Sequence, residues 1–169
     1  KVPDEMDHGG PQKSARDMEG HADFCERPLG PVLGITGMAL HPSSIALHDL
    51  PAHTLVEAYR SRALSPVEVT HAVLAHIDRW EPHLHATYLL RPEQALEQAR
   101  ASEQRWLQGA PLGALDGVPT TIKENIATQG DPVPLGTAAV TLVPAAADAP
   151  PAARLREAGA VLITKTNMP

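Results

Sequence analysis

A chain of 169 residues that is 43% hydrophobic can form one ordinary domain with a sizeable core. Its net charge of −6, with no stripe of Lys and Arg, excludes a phosphate-neutralising nucleic-acid binder. One cysteine, Cys25, forms no internal disulfide, no apolar run approaches the roughly 20 residues that span a bilayer, and "KVPDEMDHGG" carries no apolar signal segment. The expected compartment is the cytoplasm, with no membrane contact. With an aromatic share of only 3%, the core must be built from Leu, Val, Ile and Ala.

Residues 1–45 hold no sustained period of 3.6 or 2 and are rich in Gly, Pro and charge. Such a segment buries too little apolar surface to offset its ordering entropy, so it reads as an irregular, disordered leader. Met38, in "GMALHPSSIALHDL", reads as a natural start, with a genuine disordered tail as the alternative.

Residues 46–169 are patterned. "HTLVEAYRSRAL" predicts a short helix with Thr54 as N-cap. "SPVE" is a capping box: Ser65 at the cap, Pro66 at the first helical position, Glu68 reaching back. The helix it opens puts Val69, Ala72, Val73, His76, Ile77 and Trp80 on one face and is expected to stop at Glu81, before Pro82. "HLHATYLL" then reads as a strand. A helix from Pro92 through "EQALEQARASEQRWLQ", closed by Gly109, gathers Ala95, Ala99, Ser102 and Trp106 on a small-residue face. "VPTTIK" is a second strand, "DAPPAARLREAG" a helix capped by Gly159, and "AVLITK" a third strand. Helices alternating with apolar strands predict an α/β fold with partly parallel strands. Three short strands, the last running into "TNMP", read as an unfinished sheet and so as a truncated domain.

Lys123 ends the strand "VPTTIK" behind a turn set by Gly117 and Pro119. Alternation puts Thr121 and Lys123 on one face and Ile122 and Glu124 on the other, so Glu124 is poorly placed to pair with Lys123. A buried lysine without a carboxylate partner loses charge, and a neutral amine is a competent general base. An ordinary strand-end lysine is instead solvated.

The surrounding text separates these readings. "PLGALDGVPTTIKENIATQG" resembles the catalytic-lysine segment of the amidase signature family, through Gly117, Val118, Pro119, Lys123, Glu124, Asn125 and Ile126. "LREAGAVLITKTNMP" resembles that family's second block, and "ALSPVEVTHAVLAHIDRWEPHLHATY" an upstream one. The resemblance runs from about Leu47 to Pro169, with three blocks in order. It implies the N-terminal part of the amidase signature fold, a mixed sheet flanked by helices. It also implies cofactor-free hydrolysis of a small-molecule carboxylic amide by a Ser–cis-Ser–Lys triad, in which a serine forms an acyl-enzyme and the lysine takes up the proton. Of the triad only Lys123 carries over. The serines belong to a Gly/Ser-rich segment that follows "TNMP" in the family. Glu124 stands where Asp is common, and "QGDPVPLGTAAVT" matches only loosely, so the substrate-side residues are not named by the resemblance. The chain alone is therefore expected to be inactive. Two alternatives stay open: an amidotransferase A-type subunit that releases ammonia from glutamine, and a non-catalytic remnant or interaction module.

Other candidates have plainer readings. Ser14, Ser43, Ser44, Ser61, Ser65 and Ser102 sit in no Gly-rich turn, so none reads as a nucleophile. Lys165 lacks the preceding Gly-x4-Gly of a phosphate loop and reads as a structural lysine, while Asn125 and Asn167 suit turn chemistry. His71 and His76 are five apart, and His83 with His85 could share a strand face, yet no third ligand follows. No metal is expected. Trp80 and Trp106 read as core or interface packing.

Overall fold

The computed structural model describes residues 46–168. The leader, Met38 and Cys25 lie outside the described residues, as do Ser14, Ser43 and Ser44. A short 3-10 turn over Leu47–Asp49 is followed by α1 (Ala52–Arg60), α2 (Pro66–Leu84), β1 (Thr87–Leu90), α3 (Pro92–Leu107), β2 (Pro119–Lys123), α4 (Pro150–Glu157) and β3 (Val161–Thr166). The strands form one mixed sheet in the order β1-β3-β2, with β1 antiparallel and β2 parallel to the central β3.

The capping box forms as the sequence dictates. Ser65 Oγ accepts the N–H groups of Val67 and Glu68 at 3.0 and 3.2 Å, and Glu68 accepts from Ser65 N at 2.8 Å. Two helix limits differ from expectation. Helix α1 starts behind Pro51, so Thr54 lies inside it rather than capping it. Helix α2 runs through Pro82 to Leu84. A proline removes one amide donor but tolerates helical φ, and the last turn still closes through His85 N–H to Glu81 O at 2.9 Å. His85 itself adopts the left-handed conformation, φ 47°, and Glu81 accepts the N–H of Thr87 at 3.0 Å. The strand therefore begins at Thr87. His83 ends up on a helix and His85 in its cap, which removes the shared strand face expected of them.

The small-residue face of α3 has a purpose in packing. Ala95 and Ala99 are fully buried against Val161 and Ile163 of β3, with Val73, Leu74 and Ile77 of α2 closing the cluster. Only methyl-sized side chains let a helix backbone approach a sheet this closely. Pairing slips by one residue between Thr120 and Thr121, so that Thr120 faces Leu162 while Thr121 faces Thr164. The Leu162 N–H at the slip is satisfied by Gln98 Oε1 of α3 at 3.0 Å. A second cluster holds Leu55, Ala58, Tyr59, Leu64, Val69 and Val118. In it Tyr59 packs near Trp106, whose Nε1–H donates to Asp116 O at 3.1 Å. Trp80 differs from Trp106 in depth: it is 42% exposed, in the last turns of α2.

The turn before β2 and the end of α4 cross and bond to each other. Leu115 N–H donates to Ala158 O at 3.2 Å, Gly117 N–H to Gly159 O at 3.0 Å and Val161 N–H to Val118 O at 3.0 Å. Both glycines have positive φ, 83° at Gly117 and 85° at Gly159. A Cβ on Gly159 would meet Asp116 at 2.8 Å, and one on Gly117 would meet Pro66 and Ser102 at 2.7 Å. Asp116 is wholly buried at this crossing. Its carboxylate takes two hydrogen bonds from Arg105, at 2.9 and 2.6 Å, and one from Leu112 N–H at 2.8 Å. Burial opposes its charge, but the Arg105 guanidinium and the Leu112 amide outweigh that and hold the carboxyl below its ordinary value.

Replacing Arg105 by Ala leaves Asp116 buried and unpaired, and a urea titration at neutral pH should show a loss of about 3 kcal/mol. The depressed pKa makes Asp116 stabilising above the ordinary carboxylate value of 3.8, and this contribution drains away as pH falls below it. An Asp116→Asn variant should therefore show a flatter acid limb of stability than wild type. Gly159→Ala should cost about 2 kcal/mol or more by the same titration, since the left-handed backbone and the Asp116 contact both penalise a Cβ.

Candidate active site

Lys123 closes β2 at the carboxyl end of the parallel pair β2–β3, the end at which open α/β sheets place their ligands. Its backbone is fixed on both sides. Lys123 is in register with Thr166, Glu124 N–H donates to Thr166 O at 2.9 Å, and Ile126 N–H returns to Lys123 O at 3.0 Å. Alternation works as the sequence predicts: Ile122 and Glu124 are buried while Thr121 and Lys123 are exposed. The dry setting that a neutral Lys123 amine requires is therefore not supplied by the described residues, among which its Nζ has no hydrogen-bond or ion-pair partner.

The buried lysine is Lys165, in the second motif. It is only 3% exposed, and Nζ donates to the carbonyls of Ile126 at 3.0 Å and Pro132 at 3.4 Å. Burial pulls its pKa down from the ordinary value, while the negative charges of Asp131 and Glu124 push it back up. This is the structural role the sequence suggested, made specific: the amine pins the loop that follows Lys123.

Glu124 does a related task from the other strand. It is 3% exposed, and Oε1 accepts the Gly136 N–H at 2.6 Å. That bond fixes a turn in which Leu135 and Gly136 both have positive φ. The turn walls an open cleft of about 620 Å³ whose lining includes His85, Tyr88, Glu124, Thr137, Asn167 and Met168. Lys123 is not part of that lining and takes the opposite side of its strand from Glu124. Asn167 anchors the cleft floor, donating from Nδ2 to His85 O at 2.5 Å and from its backbone to Ala86 O at 2.8 Å. Asn125 is exposed in the turn after Lys123.

Ser65 and Ser102 keep the cap and helix contexts expected of them. Ser61 Oγ donates to Glu57 O at 2.9 Å, Ser65 caps α2, and Ser102 is buried in α3 against Gly117. None of the three hydrogen-bonds Lys123. His48 and His76 stack at 3.8 Å, and neither lines the cleft. Among the described residues, no three His, Cys, Asp or Glu side chains converge as a metal set, and no helix is long and apolar enough to cross a membrane.

No sequence pattern assigns a structural role to Asp116, or to Glu124 beyond its place in the motif. A signal existed for Glu124, because the period-2 pattern places it on the inward face directly beside Lys123. The pairing of Asp116 with Arg105, eleven residues apart across a helix end and a turn, has no sequence periodicity to reveal it.

Comparison with known proteins assigns this arrangement. The family model described as Amidase matches residues 68–169. The chain is similar to the A-type subunit of glutamyl-tRNA(Gln) amidotransferase from Chloroflexus aurantiacus, 39% identical over 121 residues, which covers 72% of this chain and 25% of that protein. It is also similar to the indoleacetamide hydrolase of Bradyrhizobium diazoefficiens, 41% identical over 115 residues, covering 66% of this chain and 21% of the relative. Among solved structures, a bacterial aryl acylamidase of the amidase signature family superposes with TM-score 0.66 at 31% identity, over 73% of this chain and 26% of that one. The peptide amidase of Stenotrophomonas maltophilia superposes with TM-score 0.63 at 28% identity, over 75% and 25%. The chain thus spans about a quarter of the length of the curated relatives it matches. With its lysine-bearing strand, its "AGAVLITKTNMP" strand and the helix between them all inside the matched region, this chain belongs to the amidase signature family.

Proposed function

We propose that, at the length of its relatives, this protein is an amidase that hydrolyses the C–N bond of a small carboxylic amide through an acyl-serine intermediate, with Lys123 as the proton acceptor of a Ser–cis-Ser–Lys triad. The observation that carries the reading is the placement of Lys123: the family-motif lysine ends a strand at the carboxyl edge of a parallel pair, outward-facing and unengaged among the described residues. The chemistry then runs in two steps. A serine hydroxyl attacks the amide carbonyl, its proton passes through the bridging serine to the Lys123 amine, and the lysine returns a proton to the departing amine. Water, deprotonated in the same way, releases the carboxylate. Such an amine must be neutral to act, which requires that neighbours beyond those described here cover Lys123 and exclude water. No cofactor takes part. The single cysteine in the sequence fits work in the reducing cytoplasm.

A second reading has its own support. The similarity to an amidotransferase A-type subunit is as extensive as that to a simple hydrolase, so glutamine with a partner-bound acceptor is the alternative substrate system. Ammonia release from glutamine that depends on added partner subunits would favour it, and partner-independent cleavage of simple amides favours the amidase.

The deciding measurement is steady-state turnover of amide and ester panels by the protein at its relatives' length. Lys123→Ala should lower kcat by about a thousandfold or more. Undiminished turnover in that variant would remove Lys123 from the mechanism. Residues 1–169 alone, with no serine in a Gly-rich turn, should release no product above background, and turnover abolished there by Lys123→Ala would mean the nucleophile lies among the serines already named.

A further inference from the structure

Two lysines stand on neighbouring strands of this site, one exposed and one buried, and only the exposed one has a part in the chemistry proposed above. A lysine deep in a fold carries a desolvation penalty that a methionine of similar volume would avoid. Lys165 meets this penalty while serving no ion pair of hydrogen-bonding distance among the described residues, where its Nζ contacts are both backbone carbonyls. One of them, Ile126 O at 3.0 Å, belongs to the residue whose own N–H closes the turn onto Lys123 O at 3.0 Å. Lys165 Nζ thus reaches the backbone of Lys123 through two hydrogen bonds joined by one residue, Ile126. The other contact, Pro132 O at 3.4 Å, holds the loop further along.

The remaining constraints on this turn come from the sheet. Glu124 N–H is bound to the carbonyl of Thr166, the residue directly after Lys165, so strand and side chain grip the turn from one short stretch of β3. Asp131 and Glu124 lie near enough for their charges to stabilise the buried ammonium, and both are otherwise engaged. Asp131 accepts from Arg91 and from Thr128 Oγ1, and Glu124 from Gly136 N–H.

We infer that Lys165 is a positioning residue for the catalytic base: by holding the Ile126 carbonyl it fixes the 123–126 turn and with it the direction in which the Lys123 side chain leaves the strand. This rests on the reading of Lys123 as base. Proton transfer is sensitive to sub-ångström placement, so loosening this turn should act on the chemical step rather than on substrate affinity.

The test uses the protein at its relatives' length and two readouts. Lys165→Met keeps the volume and removes the donor. Its kcat should fall at least about tenfold while KM stays within about threefold, and amide hydrogen exchange should quicken in residues 123–131 while β1 and β3 stay protected. Thr128→Val, which removes the Thr128–Asp131 bond in the middle of the same loop, should leave kcat within about twofold. An unchanged kcat with the turn still protected in Lys165→Met would overturn the inference. An equal kcat loss in Thr128→Val would do the same, by showing that general loop stability is what matters. Should Lys165→Met fail to fold, Lys165→Leu also removes the donor and should show a kcat loss of at least about tenfold at constant KM; wild-type kcat in it also refutes the role. The exchange readout does not depend on which amide is cleaved. A failure of Lys123 as base would show up separately, as full turnover in Lys123→Ala.

Discussion

The site in this protein depends on one close crossing of two backbones, at Asp116–Gly117 and Ala158–Gly159. The turn that feeds β2 and the turn that feeds β3 bond to each other there before either strand begins. The crossing starts the β2–β3 pairing, with Pro119 opposite Val161, and the one-residue slip after Thr120 then brings Ile122 opposite Lys165 and Lys123 opposite Thr166. The approach is close enough that a methyl group on either glycine would collide with its neighbours. A buried carboxylate sits at the crossing, and Arg105 reaches it from the end of α3. A helix that packs on the sheet thus also supplies the cation that lets the crossing be charged. This couples the α3–β3 core to the turn, so the position of the strand end is set by core packing as well as by backbone pairing.

Charge is distributed across the strand ends in a consistent way. The exposed lysine has no partner among the described residues, whereas the buried lysine and buried glutamate are each committed to backbone groups of one loop. Lys165 holds the loop's first half by its carbonyls, and Glu124 holds its second half by an amide. A loop of this length with several prolines and two consecutive positive-φ residues would otherwise sample many conformations. Two charges of opposite sign, themselves mutually stabilising, restrict it without a regular element. The cleft wall is consequently part of the sheet's own framework.

The relatives matched here include enzymes named for hydrolysis and a protein named for amidotransfer, at nearly the same identity. The matched quarter contains the crossing, the lysine strand and the pinned loop. A region shared by proteins of different chemistries is framework rather than substrate choice, and function is decided at sites grafted onto such a frame.

The amino-acid sequence by itself determined the elements and the family. The Ser65 capping box, the Ala95–Ala99–Ser102 face and the Gly109 and Gly159 helix ends are local patterns, set by caps, periodicity and glycine φ, and each forms where its pattern lies. The alternation of "TTIKE" likewise fixed which side Lys123 would take. Pro82 misled, because a proline near a helix end costs only one donor that the final turn can spare, and the strand expected from His83 starts at Thr87 in consequence. Only the tertiary structure decided which lysine is dry. Burial depends on what covers each face of the sheet, and the order β1-β3-β2 covers Lys165 in the central strand while leaving the outward face of the edge strand at Lys123 open. It likewise decided the partners of Asp116 and Glu124, since an ion pair across a helix end and a carboxylate bond to a loop amide arise from chain crossings that no sequence period encodes.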